Sequence, residues 1–245
     1  TAIGKAVTRF KVGDAVAGFP GVGLGCHAQY RALPEDGALV PKPASLSHVE
    51  AASLFFGGTA ALYFLRDKGR VRPGDRVLVI GASGSVGSAA VQIARQLGAE
   101  VTGVCSGANC GLVAGLGAHA VIDYTREDYT RLGPRYDIIL DTIGGEPMAR
   151  TRCALAPDGR LLMVAAGVPQ MLLGLTTLWR RQKAISGLAP ERREDVEYLA
   201  ALAARGTFRP VIDEVFALED IAAAHARVES RRKRGNTVLR IADCN

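Results

Sequence analysis

The chain has 245 residues and a formal net charge of +6, and its 48% hydrophobic and 22% charged residues are typical of an ordinary globular protein. No apolar run reaches the roughly 20 residues of a membrane helix, and the N-terminus lacks a secretory signal, so we expect no membrane partner. The five cysteines include no C-x-x-C pair, which argues against a disulfide framework and a zinc finger and favours a reducing, cytoplasmic location.

The first part of the chain predicts short β-strands followed by one helix. Alternating hydrophobicity predicts strands over residues 9–19 and 28–33. A loop rich in proline then leads to a helix over residues 50–65, capped by Ser45 or Ser47 and interrupted by the glycine pair in its middle.

From residue 76 the pattern changes to apolar strands that alternate with helices. The predicted strands cover residues 76–80, 101–105, 120–123, 137–141 and 159–165. The predicted helices cover residues 89–97, a stretch that ends at Gly117, residues 125–132 and residues 147–156. This alternation predicts an α/β fold with a parallel sheet covered on both faces.

After Gly187 the alternation stops. Two amphipathic helices are predicted over residues 194–206 and 218–230, with a strand between them at residues 212–216. A final strand is predicted over residues 237–241. The C-terminal part of the chain is therefore expected to lie outside the parallel sheet.

A glycine trio follows the first strand of the alternating region. Gly81, Gly84 and Gly87 have the spacing G-x-x-G-x-x-G, which allows a tight turn, close approach of a pyrophosphate and close packing of helix against strand. The N–H groups of Gly84, Ser85 and Val86 are then expected to point at phosphates, at the positive end of the helix. A turn without a ligand is the alternative. Because the trio lies in a complete strand–helix–strand unit, we interpret it as a dinucleotide-binding turn.

The end of the second strand indicates which dinucleotide is bound. NAD-binding sites usually have Asp or Glu there to hold the ribose hydroxyls, but residues 101–110 contain no acid. Ser106 can instead donate to a 2′-phosphate, and the basic run 231–234 supplies a cation if the last strand returns beside the site. The pattern therefore favours NADPH as the cofactor.

Several stretches together resemble the medium-chain dehydrogenase/reductase superfamily, and more narrowly its zinc-independent quinone oxidoreductase branch. They are, in order, VTRFKVGDAV, GGTAALY, PGDRVLVIGASGSVG, VTGVCS, HAVIDYTRED, YDIILDTIGG and TVLRI. The resemblance implies a doubly wound parallel sheet (Rossmann fold) with a partial chaperonin-10-like, β-rich catalytic domain built from both chain ends. The implied domains are residues 1–46 (partial catalytic domain), 47–186 (dinucleotide-binding domain) and 187–245 (return to the catalytic domain).

The resemblance also implies which residues contact the cofactor. This chain has matches to five cofactor-binding features of the family. They are the phosphate loop A-x-x-G-x-V-G, the G-x-T-A turn near the nicotinamide, the adenosine-phosphate contacts, the D-T-I-G segment and the basic tail residue. The implied contacts are Thr59, Gly81, Gly84, Ser85, Val86, Gly87, Ser106, Tyr124, Thr142 and Arg231. One departure weakens the preference for NADPH: where the family often has Lys or Arg just past the second strand, this chain has Ala108 and Asn109.

No metal site is expected. Zinc-dependent relatives have a four-cysteine lobe after the VGD strand and a cysteine ligand in the helix that reads SLFFGGTA here, and this chain has neither. The pair Cys26–His27 falls short of the three or four ligands that a zinc site needs, so we interpret it as a buried thiol beside a surface histidine. The remaining histidines, His48, His119 and His225, are interpreted as isolated.

The resemblance implies hydride transfer from NADPH to a small molecule. Without zinc to polarise a carbonyl, a quinone or an α,β-unsaturated carbonyl is the easier acceptor. No residue stands out as a catalytic proton donor, although Tyr30 and Thr59 are candidates to line the pocket. The resemblance starts within the family's N-terminal domain, so we expect association with another chain, and the family implies a homodimer.

Three alternatives stay open. The first is a cofactor-binding but catalytically silent homologue or subunit. The second is an enoyl reductase domain cut from a larger synthase. The third alternative is a nucleic-acid contact through the basic tail, which the aromatic content of 6% disfavours because few stacking platforms are available. We therefore expect a quinone or enone reductase with no nucleic-acid partner.

Overall fold

The computed structural model describes residues 1–23, 25–133, 135–144, 148–165, 167, 177 and 179–241. The chain divides into two compact units, a terminal unit (Thr1–Thr59 with Pro190–Asn245) and a central unit (Ala60–Ala189). The predicted α/β class is confirmed, as is a unit built from both chain ends. The domain boundaries predicted after residues 46 and 186 stay a prediction.

The elements are labelled in chain order over the described residues. The strands are β1 (Val16–Gly18), β2 (Leu39–Pro41), β3 (Arg76–Ile80), β4 (Glu100–Cys105), β5 (Ala120–Asp123), β6 (Tyr136–Asp141), β7 (Leu155–Met163), β8 (Lys183–Ser186), β9 (Ile212–Ala217) and β10 (Asn236–Arg240). The helices are α1 (His48–Leu62), α2 (Ser85–Gln96), α3 (Cys110–Gly115), α4 (Met148–Thr151), α5 (Arg193–Ala204) and α6 (Ile221–Glu229), and a π-helix (Tyr63–Lys68) continues α1. Among these residues no helix combines the length and apolar character needed to cross a bilayer.

The central unit is built on one parallel sheet with the strand order β5-β4-β3-β6-β7-β8. The apolar run of β3 explains its central place, because Val77, Leu78 and Val79 are fully buried. The chain moves outward through β4 and β5 on one side of β3 and through β6, β7 and β8 on the other. The strand order therefore reverses between β3 and β6, and ligands of doubly wound sheets bind outside the carboxyl ends of the strands at such a point.

The terminal unit contains the antiparallel pair β1–β2, the parallel pair β9–β10, residues 48–59 of α1, and the helices α5 and α6. Ser47 caps α1 through a capping box, since its backbone N–H donates to Glu50 Oε2 at 2.8 Å and the Glu50 N–H donates to Ser47 Oγ at 3.2 Å. The predicted break at the glycine pair is wrong, because α1 continues through it. A Cβ on Gly58 would lie 2.9 Å from the Leu199 side chain, so the missing side chain serves the packing of α5 on α1.

Other element predictions are corrected by the structure. The strand predicted over residues 28–33 is absent, and the strand predicted over residues 9–19 is confined to β1. The helix predicted over residues 125–132 is wrong: Asp128 accepts hydrogen bonds from the N–H and hydroxyl of Thr130, which stabilises turns in place of a helix. Helix α2 begins four residues before its predicted start at residue 89.

Candidate nucleotide-binding site

The turn after β3 is locked to the end of β6. Gly81 has a φ of +79°, which favours glycine, and a Cβ there would lie 2.6 Å from Thr142 Oγ1. The Thr142 hydroxyl in turn donates to the Ile80 carbonyl oxygen at 2.8 Å. The predicted positions 81 and 142 therefore meet at the point where the strand order reverses.

The glycine turn leads directly into α2. Gly84 is the N-cap residue and supplies no side-chain cap, and the nearest atom to a Cβ placed there is the Gly81 carbonyl oxygen at 3.4 Å. A Cβ on Gly87 would overlap that same carbonyl oxygen, so the helix lies as close to the turn as the backbone allows. The prediction that the Gly84 N–H points at a phosphate is wrong, because this group donates to the Gly81 carbonyl oxygen at 3.0 Å. The first-turn N–H groups of a helix, here those of Ser85, Val86 and Gly87, have no acceptor within the helix. The turn thus fits a phosphate at the positive end of a helix dipole.

Asn109 joins this turn to the end of β4. Its side-chain amide donates to Ser83 Oγ at 3.2 Å and to Ser106 Oγ at 3.1 Å. Ser106 and Asn109 are both half-buried and flank a short 3-10 turn that leads into α3. The structure therefore brings predicted residue Ser106 and the glycine turn into one hydrogen-bonded network. Sequence reasoning missed Ser83 and gave Asn109 no role beyond the lack of a cation.

The end of β5 lies beside the end of β4. The Tyr124 N–H donates to the Cys105 carbonyl oxygen at 3.1 Å, and Tyr124 as a whole is 61% exposed. The predicted contact Tyr124 thus lies at the same edge of the sheet as Ser106, with its ring open to a ligand.

An acid also lies at this edge, although residues 101–110 contain none. A Cβ on Gly107 would lie 2.5 Å from Asp123 Oδ2, so the last residue of β5 brings its carboxylate to the end of β4. Hydrogen bonds from the hydroxyl and N–H of Thr125 lower the pKa of Asp123 and keep it charged. The signal was present in the sequence, because Asp123 ends a predicted strand whose parallel neighbour carries Ser106.

Three candidate residues belong to the terminal unit. Thr59 is buried and its hydroxyl donates to the Phe55 carbonyl oxygen at 2.8 Å, whereas 73% of Tyr30 is exposed. Arg231 follows α6 with a φ of +56°, a conformation that is unfavourable for a residue with a side chain. Their roles toward a cofactor stay predictions.

Comparison with known proteins identifies the family. A family profile described as zinc-binding dehydrogenase matches residues 116–239. The chain is 32% identical over 255 residues to a quinone oxidoreductase of Pseudomonas aeruginosa (97% of this chain, 78% of the relative). It is 31% identical to a 2-haloacrylate reductase of Burkholderia sp. (97% and 77%). The solved quinone oxidoreductase of Coxiella burnetii matches with a TM-score of 0.88 at 28% identity (98% and 76%). The chain belongs to the medium-chain dehydrogenase/reductase superfamily.

Within the superfamily, these matches place the chain in the quinone oxidoreductase-like branch. The resemblance inferred from the sequence motifs is confirmed, and so is the prediction of a quinone reductase-like oxidoreductase. The predicted fold class is likewise confirmed, because the matching solved structures combine a Rossmann domain with a chaperonin-10-like domain.

The family profile that matches the chain is named for zinc-binding dehydrogenases, which makes the ligands of a metal relevant here. Within the described part of the chain, no three or more His, Cys, Asp and Glu side chains are grouped so that they could hold an ion. The interpretation of Cys26 as a buried thiol is wrong, because it is exposed. His225 is not isolated either, since its ring centroid lies 6.1 Å from that of His27. The residues described do not fit a zinc centre.

Proposed function

We propose that this protein is an NADPH-dependent, zinc-independent oxidoreductase that transfers hydride to a quinone or an α,β-unsaturated carbonyl. The observation that carries the proposal is the network of Ser83, Asn109 and Ser106, which joins a glycine turn to the segment after the neighbouring strand. The relatives named quinone oxidoreductase and 2-haloacrylate reductase support the two substrate classes.

The residues of the central unit have separable tasks in this proposal. The N–H groups of Ser85, Val86 and Gly87 hold the pyrophosphate, Gly84 allows its close approach, and Gly81 completes the turn. Ser106 and Tyr124 contact the adenosine ribose and its 2′-phosphate. Thr142 fixes the edge of the sheet on the nicotinamide side. When bound, NADPH supplies the hydride, so the protein supplies binding and orientation.

The balance of charge decides how strongly NADPH is preferred over NADH. Asp123 brings a negative charge to the end of β4, where it opposes a 2′-phosphate. Arg126 Nε lies 3.8 Å from Asp123 Oδ2, and its side chain is 84% exposed, so this cation offsets the carboxylate. The family resemblance is what assigns Arg231 as a second cation and Thr59 as a residue near the nicotinamide in this proposal. We expect a modest preference for NADPH because only part of the carboxylate charge is offset.

The first experiment is a titration of the protein with NADPH and with NADH, followed by nucleotide fluorescence. The matched variants are Ser106→Asp, which adds a negative charge at the site, and Ala114→Asp, which adds it on the exposed part of α3. Ser106→Asp is expected to weaken NADPH binding by roughly ten-fold or more and NADH binding much less. Ala114→Asp is expected to change neither. A wild-type protein that binds neither NADPH nor NADH would overturn the proposal.

Addition of a simple quinone or an enone to the NADPH complex tests the reaction. Oxidation of NADPH that persists after dialysis against EDTA supports a zinc-independent reductase. Binding without oxidation favours the silent homologue or subunit, and turnover only with an acyl-carrier-linked substrate favours the enoyl reductase domain. No side chain is assigned as proton donor.

The proposal also includes a homodimer and a cytoplasmic location. Strand β8 is at an edge of the described six-stranded sheet, and such an edge is a ready template for pairing with a second copy. Light scattering of the purified protein measures its mass: twice the chain mass of 25.8 kDa is expected, and the chain mass alone contradicts the dimer.

A further inference from the structure

Two cysteines that the proposed reaction does not use meet at the end of β4. Cys105 is the last residue of β4 and Cys110 is the first residue of α3, and their Sγ atoms are 3.9 Å apart. A disulfide requires about 2.05 Å between the sulfur atoms, so a shift of about 2 Å brings them to bonding distance. Both thiols are free.

We propose that Cys105 and Cys110 are an oxidisable dithiol, a modification site for peroxides, and that its disulfide weakens nucleotide binding. The second half rests on the proposed function. The segment enclosed by the two cysteines contains Ser106 and Asn109, which form the hydrogen bonds to the glycine turn. A covalent bond across this segment therefore acts directly on the proposed site.

The two thiols differ in accessibility. Cys105 is buried, and burial together with the neighbouring Cys110 raises the pKa of its thiol to about 12. Cys110 is only half-buried, and its S–H donates to the Ser106 carbonyl oxygen at 3.7 Å. The thiolate is the nucleophile, and the raised pKa keeps Cys105 protonated. Cys110, which is also the more accessible thiol, therefore meets an oxidant first.

The chemistry balances with hydrogen peroxide as the oxidant. The Cys110 sulfur attacks one peroxide oxygen, the O–O bond breaks, and the products are a sulfenic acid and water. The Cys105 sulfur then displaces the hydroxyl group of that sulfenic acid, which leaves as a second water with the Cys105 proton. The two thiols lose two electrons in total, and the peroxide gains them. A reducing thiol reverses the change by exchange.

Formation of the bond changes the segment that carries the site. Closing the gap draws the start of α3 toward the end of β4 and turns the Cys110 sulfur away from the Ser106 carbonyl oxygen. Asn109 precedes Cys110 directly, so its amide shifts against Ser83 Oγ, which lies on the neighbouring turn at 3.2 Å. Loss of about one such hydrogen bond weakens binding by roughly two- to ten-fold.

The dithiol is tested by mass spectrometry after treatment of the intact protein with hydrogen peroxide. Trypsin cleavage after Arg95 and Arg126 releases residues 96–126, which contain both cysteines and no other. The wild-type peptide is expected to lose two hydrogen atoms and to resist alkylation until it is reduced. The Cys110→Ser peptide is expected to keep its thiol or to carry added oxygen. Cys153→Ser, which removes an exposed thiol elsewhere, is expected to behave like wild type.

The effect on the site is tested by the dissociation constant of NADPH for reduced, oxidised and re-reduced protein. The oxidised wild type is expected to bind roughly two- to ten-fold more weakly and to recover on reduction. Cys110→Ser, and Cys105→Ser as a second variant, are expected to bind equally before and after peroxide.

Each result decides one part. A wild-type peptide that keeps both thiols under peroxide overturns the dithiol, and equal affinity in both states overturns its effect on binding. Reduced protein that binds neither nucleotide overturns the proposed function and, with it, the effect on binding; the mass change still decides the dithiol.

Discussion

The side-chain amide of Asn109 lies 3.2 Å from Ser83 Oγ, so the segment after one strand is tied to the glycine turn after the strand beside it. A second bond to Ser106 Oγ at 3.1 Å makes Asn109 the centre of this contact. An amide holds the two hydroxyls in place without adding charge. Asn109 therefore orients the two serine hydroxyls, and the cations of the proposed site have to come from other residues.

A lysine at position 109 is expected to increase the preference for NADPH. Asn109→Lys loses the bonds to Ser83 and Ser106 but places a cation beside the proposed 2′-phosphate, and such a charge-assisted bond is worth about 1.5–3 kcal/mol. The ratio of NADH to NADPH dissociation constants is expected to rise roughly ten-fold or more. Ala114→Lys, on the exposed part of α3, is the control and is expected to leave the ratio unchanged. An unchanged ratio in Asn109→Lys contradicts a 2′-phosphate at this position.

Gly87→Ala is expected to damage both the fold and nucleotide binding. The added Cβ overlaps the Gly81 carbonyl oxygen, so α2 has to move from the turn, at a cost of about 1–3 kcal/mol in the free energy of unfolding. Gly115→Ala is the matched control, because it also lies in a helix and its Cβ meets nothing within 4 Å. It is expected to stabilise by about 0.5–1 kcal/mol and to leave binding unchanged. Denaturant unfolding and the NADPH titration measure both effects; equal behaviour of the two variants would argue against the close packing.

Arg231→Gly is expected to raise stability while it weakens NADPH binding. The φ of +56° is strained for arginine, and its replacement by glycine is expected to gain up to about 1 kcal/mol. Arg70, with a φ of +51°, provides the control: Arg70→Gly is expected to gain similar stability with no change in affinity for either nucleotide. Loss of NADPH affinity with NADH affinity retained supports the contact of Arg231 with the 2′-phosphate. Equal affinities in both variants remove Arg231 from the site.

Asp213 is expected to make the terminal unit sensitive to acid. It accepts two hydrogen bonds from the Arg227 guanidinium, at 2.7 and 3.0 Å, and these lower the pKa of its carboxyl group. A lowered folded-state pKa means that the stabilisation is present above about pH 4 and is lost as the pH falls through the folded value. Asp213→Asn is expected to lower the free energy of unfolding by about 2 kcal/mol at pH 7 and by much less near pH 3.

The control for this pH dependence is the pair Asp158–Arg181, in which both side chains are more than two-thirds exposed. Asp158→Asn is expected to have no measurable effect on unfolding, because exposed ion pairs contribute little. Denaturant unfolding of both variants across the acid range makes the comparison. A constant difference between wild type and Asp213→Asn at all pH values contradicts the role of the charged pair.

The parallel sheet could be predicted from the sequence because its strands are continuous apolar runs. Val77 to Val79 are an example: successive side chains of a strand point to opposite faces, and all three are fully buried, as in a parallel sheet covered on both faces. Residues 125–132 were harder, since Asp128 and Thr130 compete with a helix through side-chain bonds that hydropathy does not report. The candidate turn at Gly81 to Gly87 could be recognised from the sequence because it is one continuous stretch that follows a single strand. Asp123 reaches the end of β4 only because the register of the sheet pairs it with Cys105, and Asn109 contacts Ser83 only because β3 and β4 are neighbours.

The division of the chain into a terminal and a central unit has a consequence for synthesis on the ribosome. Residues 60–189 form one unit from a continuous stretch, so this unit is complete as soon as its last strand has emerged. Residues 1–59 are made before the central unit but pack with residues that follow position 189. Residues 1–59 therefore stay without part of their packing partners until residues beyond position 189 have been made, and during that interval their apolar side chains are exposed to aggregation.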